Sequence, residues 1–114
     1  PIRDFLFADD CADAMKLILK KNITYPINIG SGTGVSIKKI VEVIVENLPE
    51  KKLEINWDTS KPSGDKIRLM NIDKIKKLGF VSKVDINQGI RKTIEWFKSN
   101  NNNHEKRYNS FLEN

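Results

Sequence analysis

The sequence predicts an α/β fold of short strands and about four helices. Short apolar runs alternate along the chain with longer segments whose apolar residues recur at helical spacing. Helix-capping residues (Ser36, Asp73 and Asp85) stand immediately before three of those segments. With 114 residues, 39% hydrophobic and 31% charged, the chain suffices for one packed domain and is too apolar for disorder over most of its length.

The elements are expected in this order. Arg3 to Ala8 reads as a strand, apolar in its second half. Asp9 or Asp10 then caps a helix running to about Lys21, with Cys11, Met15, Ile18 and Leu19 as its inner stripe. On that stripe Cys11 is a small core residue. Tyr25 to Ile29 is a second strand, turned by Gly30-Ser31-Gly32-Thr33-Gly34. Ser36 caps the clearest helix, whose stripe is Ile37, Ile40, Val41, Ile44, Val45 and Leu48, closed by Pro49. Leu53 to Trp57 alternates strictly, the pattern of a strand with one buried face. Residues 58–65, with Pro62 and Gly64, form a loop, and 67–72 a short strand. Asp73 caps a small helix bearing Ile75 and Leu78, with Gly79 just past its end. Asp85 caps the last helix, with Ile86, Ile90, Ile94 and Phe97 on its stripe. Residues 101–114 form a polar, Asn-rich tail in which Tyr108, Phe111 and Leu112 offer material for a short docking helix.

The net charge is +5, and it is unevenly held. Residues 1–13 sum to −3, whereas residues 61–83 sum to +5. A whole-chain excess gathered in one window suggests an anionic partner, and a solvated lysine-rich surface is the alternative. Nucleic-acid binding would add aromatics between the cations, yet Phe80 is the one aromatic from 61 to 83, so no nucleic-acid partner is expected. No apolar run is long enough for a membrane span or signal core, so no membrane partner is expected. One cysteine and one histidine (Cys11, His104) exclude a disulfide framework and a Cys/His metal site. These absences point to the cytoplasm. Pro1 opens the chain with no initiator Met, and the chain reads as a piece of a longer protein.

Three segments are candidate sites. The glycine-rich turn at 30–34 suits a pyrophosphate cradle at a helix N-terminus, but Val35 stands where the dinucleotide fingerprint needs its third glycine. A tight structural turn is the alternative. Arg3 stands at the start of an apolar strand, either as an anion donor or as a surface residue paired with Asp4. Lys61-Pro62-Ser63-Gly64-Asp65-Lys66-Ile67-Arg68 is a stiffened loop presenting cations to a diphosphate or merely to solvent.

Taken in order, Arg3-Asp-Phe-Leu-Phe-Ala-Asp-Asp, Asn28-Ile-Gly-Ser-Gly, Lys61-Pro-Ser-Gly, Leu78-Gly-Phe and Thr93-Ile-Glu-Trp-Phe resemble the C-terminal part of the extended short-chain dehydrogenase/reductases. These are NAD(P)-dependent sugar-nucleotide epimerases, dehydratases and reductases. The Trp57-Asp-Thr-Ser-Lys-Pro segment followed by Gly64 is most similar to that of the GDP-L-fucose synthases. The resemblance implies that residues 1–100 are the substrate-binding portion of a Rossmann-type enzyme, with Arg3, Arg68 and Lys61 on the nucleotide diphosphate. It implies hydride transfer at C4 of a sugar carried on GDP, with UDP- or dTDP-sugars as the alternative. It also implies that NAD or NADP binds to an N-terminal Rossmann domain not present here, so that this chain holds no cofactor-binding, catalytic or metal-binding residues. The family's Tyr-x-x-x-Lys pair is missing: four positions after Tyr25 and Tyr108 stand Ile29 and Leu112. Cys11 and His104 do not match the family's acid/base pair. The chain alone is therefore expected to be non-catalytic, and monomeric because the family dimerises through the other domain. A basic α/β module with no catalytic role is the remaining alternative.

Overall fold

The computed structural model describes residues 1–100; the Asn-rich tail expected at 101–114 lies outside the described residues. Among the described residues a three-stranded sheet is assembled in the order β2-β1-β3. The central strand β1 (Ile2–Asp4) pairs antiparallel with β2 (Gly34–Ser36) and parallel with β3 (Ile67–Arg68). The helices of the described residues are α1 (Ala8–Lys20), α2 (Ile37–Glu46), α3 (Asp73–Lys77) and α4 (Ile86–Asn100), with a 3-10 turn at Pro49–Lys51. The α/β class and the four helices are as the sequence predicts.

Two caps form at the expected residues. Ser36 Oγ accepts the Lys39 amide at 3.1 Å, and Asp85 Oδ1 accepts the Gln88 amide at 2.9 Å. Ser36→Ala is expected to cost about 1 kcal/mol of stability, read by thermal unfolding. Gly79 closes α3: at φ +97° it lets the Phe80 amide reach back to the Ile75 carbonyl at 3.2 Å. Two other caps differ from expectation. Phe7 is the N-cap of α1 and gives no side-chain bond, while Asp9 and Asp10 lie in the first turn. At α3 the N-cap is Ile72, which gives no side-chain bond, and Asp73 is the first helical residue; its amide donates to Asn71 Oδ1 at 3.0 Å.

The strands differ more. β1 ends at Asp4, because Phe5, Leu6 and Phe7 leave the sheet to face α2 and α4 across an apolar cavity of about 290 Å³. Residues 25–29 form no strand, although Ile27 and Ile29 still pack on the core. Residues 53–57 form none either, and Leu53, Ile55 and Trp57 are all exposed. Strict alternation becomes a strand only where an edge and a covering layer are available, and the edge of β1 opposite β2 is taken by residues 67–68. The strand expected over 67–72 is correspondingly cut to its first two residues.

The core is Ala14, Ile72, Ile75 and Phe80, with Leu17 and Ile18 packed against it. The inner face of α1 is thus rotated from the expected stripe: Met15 and Leu19 are exposed, Cys11 is half-buried, and Asp10 and Ala14 are buried. A carboxylate on the inner face is the reason. Asp10 Oδ2 accepts the amides of Lys83 and Val84 at 3.1 and 3.0 Å and the Ser82 hydroxyl at 3.1 Å, tying α1 to the segment that enters α4.

Candidate functional site: an arginine pair on the central strands

The register of β1 and β3 sets Arg3 directly beside Arg68. Matched residues of neighbouring strands project from the same face of a sheet, so the two guanidinium groups share one side of it. Val35 of β2 completes this row on the other flank of Arg3. Like charges in matched positions are destabilising unless an opposite charge is supplied. Asp65, three residues before Arg68, gives Arg3 its backbone instead: Arg3 Nη1 donates to the Asp65 carbonyl at 2.9 Å and to the Ile2 carbonyl at 2.8 Å. The Lys66 carbonyl accepts the Ile2 amide at 2.8 Å, so the loop before β3 is bound to β1 at two points. Lys61 lies further back on that exposed loop. The structure therefore brings together Arg3 and Arg68, whereas Lys61 stands on the exposed loop seven residues before Arg68 and is not brought into the row.

Asp4 is not the partner of Arg3. Successive strand residues point to opposite faces, and Asp4 turns to the glycine-rich segment. Its Oδ1 accepts the Ser31 amide at 2.8 Å and the Ser31 hydroxyl at 2.5 Å, and its Oδ2 accepts the Gly32 amide at 3.2 Å. A Cβ on buried Gly30 would stand 2.5 Å from Asp4 Oδ2, so this approach requires glycine. The turn does cradle an anion, but that anion is the chain's own carboxylate. With those amides engaged and Val35 in place of the third glycine, the segment does not fit the pyrophosphate of a dinucleotide. The structural alternative for this turn is the one the geometry supports.

A cleft of about 310 Å³ adjoins the row through Val35, with Ser31, Thr33, Ser82 and Lys83 among its polar lining. Lys83 Nζ pairs with Asp13 at 2.9 Å, and that hydrogen bond and charge hold the ammonium above its ordinary pKa and the Asp13 carboxyl below. The more apolar cavity behind Phe5–Phe7 includes neither arginine; its ionisable residue, Asp85, is occupied in capping α4. Among the described residues there is no group of three or more His, Cys, Asp or Glu placed to hold a metal ion, and no helix long and apolar enough to cross a membrane.

The profile of the GDP-mannose 4,6 dehydratase family matches residues 1–93. The chain belongs to this family. A putative GDP-L-fucose synthase of Arabidopsis thaliana is 36% identical over 101 residues, covering 88% of this chain and 30% of that protein. The human dTDP-D-glucose 4,6-dehydratase is 34% identical over 108 residues, covering 89% and 31%. Among solved structures, a GDP-6-OMe-4-keto-L-xylo-heptose reductase from C. jejuni superposes with a TM-score of 0.71 at 32% identity, covering 86% of this chain and 31% of that one. The Bordetella bronchiseptica enzyme WbmF, solved with NAD+ and UDP, gives 0.68 at 30% identity, covering 90% and 31%. The chain spans about three-tenths of the length of these relatives. Its fold is that of a part of the extended short-chain dehydrogenase/reductases, and its relatives are enzymes named for sugar-nucleotide substrates.

Proposed function

We propose that residues 1–100 are the substrate-binding portion of an NAD(P)-dependent sugar-nucleotide epimerase or reductase, and that Arg3 and Arg68, with Lys61 at the loop, hold the diphosphate of a GDP-sugar. The single observation that carries this reading is the pairing of Arg3 with Arg68 in register on one sheet face. A diphosphate offers two adjacent anionic groups to two adjacent guanidinium forks, and such charge-assisted bonds are about twice as strong as neutral ones. The contribution of this chain is then to bind and orient. A non-reacting nucleotide, held firmly, fixes the attached sugar for chemistry elsewhere in the enzyme. The nicotinamide cofactor named with WbmF finds no matching residues on the glycine turn, so in this reading it belongs to a Rossmann domain outside the chain.

GDP is favoured over UDP or dTDP because the fucose synthases and the C. jejuni reductase are named for GDP-sugars. The dTDP-glucose dehydratase and the UDP complex of WbmF keep the pyrimidine nucleotides as the second reading. Both share the diphosphate. A ¹⁵N NMR titration with GDP, repeated with UDP, is expected to move resonances at Arg3, Arg68 and residues 61–67, with Arg68→Ala weakening GDP at least tenfold. Shifts confined to other residues overturn the assignment, and tight, steeply salt-dependent oligonucleotide binding would favour the non-catalytic basic module. In the absence of nucleotide, Arg68→Ala is expected to leave thermal stability unchanged or raise it by about 0.5 kcal/mol, since it removes a like-charge neighbour.

A further inference from the structure

We infer that Asp4 is a positioning residue for the arginine pair, acting through the glycine-rich turn rather than by touching the ligand. The inference rests on the reading of Arg3 and Arg68 as the diphosphate site. β1 is only three residues long, and Arg3 is its middle residue. So short a strand has few ladder bonds to hold its register, and a one-residue slip would send Arg3 to the opposite face. Its two flanks are secured differently. On the β3 side the Ile2 amide and the Arg3 guanidinium are bound to the carbonyls of Lys66 and Asp65. On the β2 side the last residue of the strand, Asp4, grips the Ser31–Gly32 turn with both carboxylate oxygens.

That grip is specific to one register. Asp4 is matched with Gly34, and the turn it binds runs directly into β2 at Gly34. The Ser31 hydroxyl donates to Asp4 and accepts the Thr33 amide at 3.1 Å, which stiffens the turn between them. Gly30 supplies the room for the carboxylate. Asp4 has no matched residue on β3, so the clamp sits one position beyond the Arg3–Arg68 pair without competing for its face. A carboxylate adjacent to a diphosphate site would repel the ligand if it shared that face; here its charge is turned away and spent on three internal donors.

The test uses GDP as probe and the wild-type chain beside Arg3→Ala, Asp4→Ala, Asp4→Asn, Ser31→Ala and the Arg3→Ala/Asp4→Ala pair, with the ¹⁵N spectrum reporting folding. Asp4→Ala is expected to weaken GDP about fivefold. Asp4→Asn, which keeps an acceptor for the Ser31 donors, restores affinity to within about twofold. In the Arg3→Ala background Asp4→Ala adds no further loss, because its effect runs through Arg3. The inference fails if folded Asp4→Ala binds GDP like the wild type, or if the two losses multiply in the double variant. Should Asp4→Ala not fold, Ser31→Ala carries the test: a loss of about threefold supports the inference, and unchanged binding overturns it. Wild-type binding that is indifferent to Arg3→Ala has a different meaning: it removes the diphosphate reading, and the role of Asp4 with it.

Discussion

Replacing Asp10 by alanine is expected to destabilise the chain by about 3 kcal/mol, seen as a fall of roughly 10–15 °C in Tm. The carboxylate is 2% exposed and its Oδ2 gathers the amides of Lys83 and Val84 and the hydroxyl of Ser82. Truncation leaves all three donors without their acceptor where water has little access, and each such loss costs about 1 kcal/mol or more. Asp10→Asn keeps an oxygen at the junction and is expected to lose about half as much. The pH dependence has a definite sign. Burial alone pushes the Asp10 carboxyl up, but the bonds from Val84, Lys83 and Ser82, with the Lys83 charge, outweigh it and hold it below its ordinary 3.8. A carboxyl depressed in the folded state stabilises fully above its unfolded value and loses that contribution as pH falls through the folded one. The stability gap between wild type and Asp10→Ala should therefore be full at pH 7 and shrink below about pH 4. A gap that persists unchanged at pH 3 would mean that the charge of Asp10 contributes nothing.

Asp10 also shows why part of the fold was not legible in the sequence. An acid in the first turn of a helix reads as a favourable partner of the helix dipole, and nothing local distinguishes it from Asp9. Its true acceptor role is set by residues 82–84, more than seventy positions away. Because that contact turns Asp10 inward, Met15 and Leu19 turn outward and the expected stripe of α1 is displaced. The caps at Ser36 and Asp85 were legible for the opposite reason: donor and acceptor lie three residues apart. The strands followed neither rule. Residues 25–29 and 53–57 carry good local patterns yet join no ladder, while Gly34–Ser36, with a glycine at its head, does. Strand formation depends on a partner, and the partner of β1 is not encoded near β1.

The candidate site divides in the same way. Arg3 and the loop cations were legible as charges, and their place in the motif order gave them a role by resemblance. Their juxtaposition was not legible, because it rests on a parallel pairing across sixty-five residues of chain. Asp4 was read only as a surface partner of Arg3, and its hold on the glycine turn was missed. The signal for it was present in the glycine turn itself: a segment shaped to receive an anion, preceded in the chain by a lone acid next to the arginine. Each polar residue of β1 thus faces its own task, Arg3 toward the exposed cationic row and Asp4 toward the turn that holds the strand.

Ile75→Ala is expected to cost about 3–4 kcal/mol. Ile75 is 0% exposed and belongs to the cluster that joins α3 to α1 through Ala14, Ile72 and Phe80. Alanine removes three carbons from the centre of a small core, and α3, with five residues, has little helical stability of its own to set against the loss. The consequence reaches the arginines. Four residues separate Arg68 from α3, and one of them, Ile72, is itself a core residue that packs where a Cβ on Gly30 would come within 3.2 Å of it. Loosening α3 therefore frees both the exit of β3 and the floor under the turn that Asp4 grips. Ile75→Val, one methylene smaller, is expected to cost only about 1 kcal/mol and to keep GDP affinity. For Ile75→Ala, GDP affinity should fall together with amide protection at Ile67 and Arg68, measured by hydrogen exchange. If the core is lost while protection at 67–68 persists, β3 is held by β1 alone, and the coupling between core and arginine pair is absent.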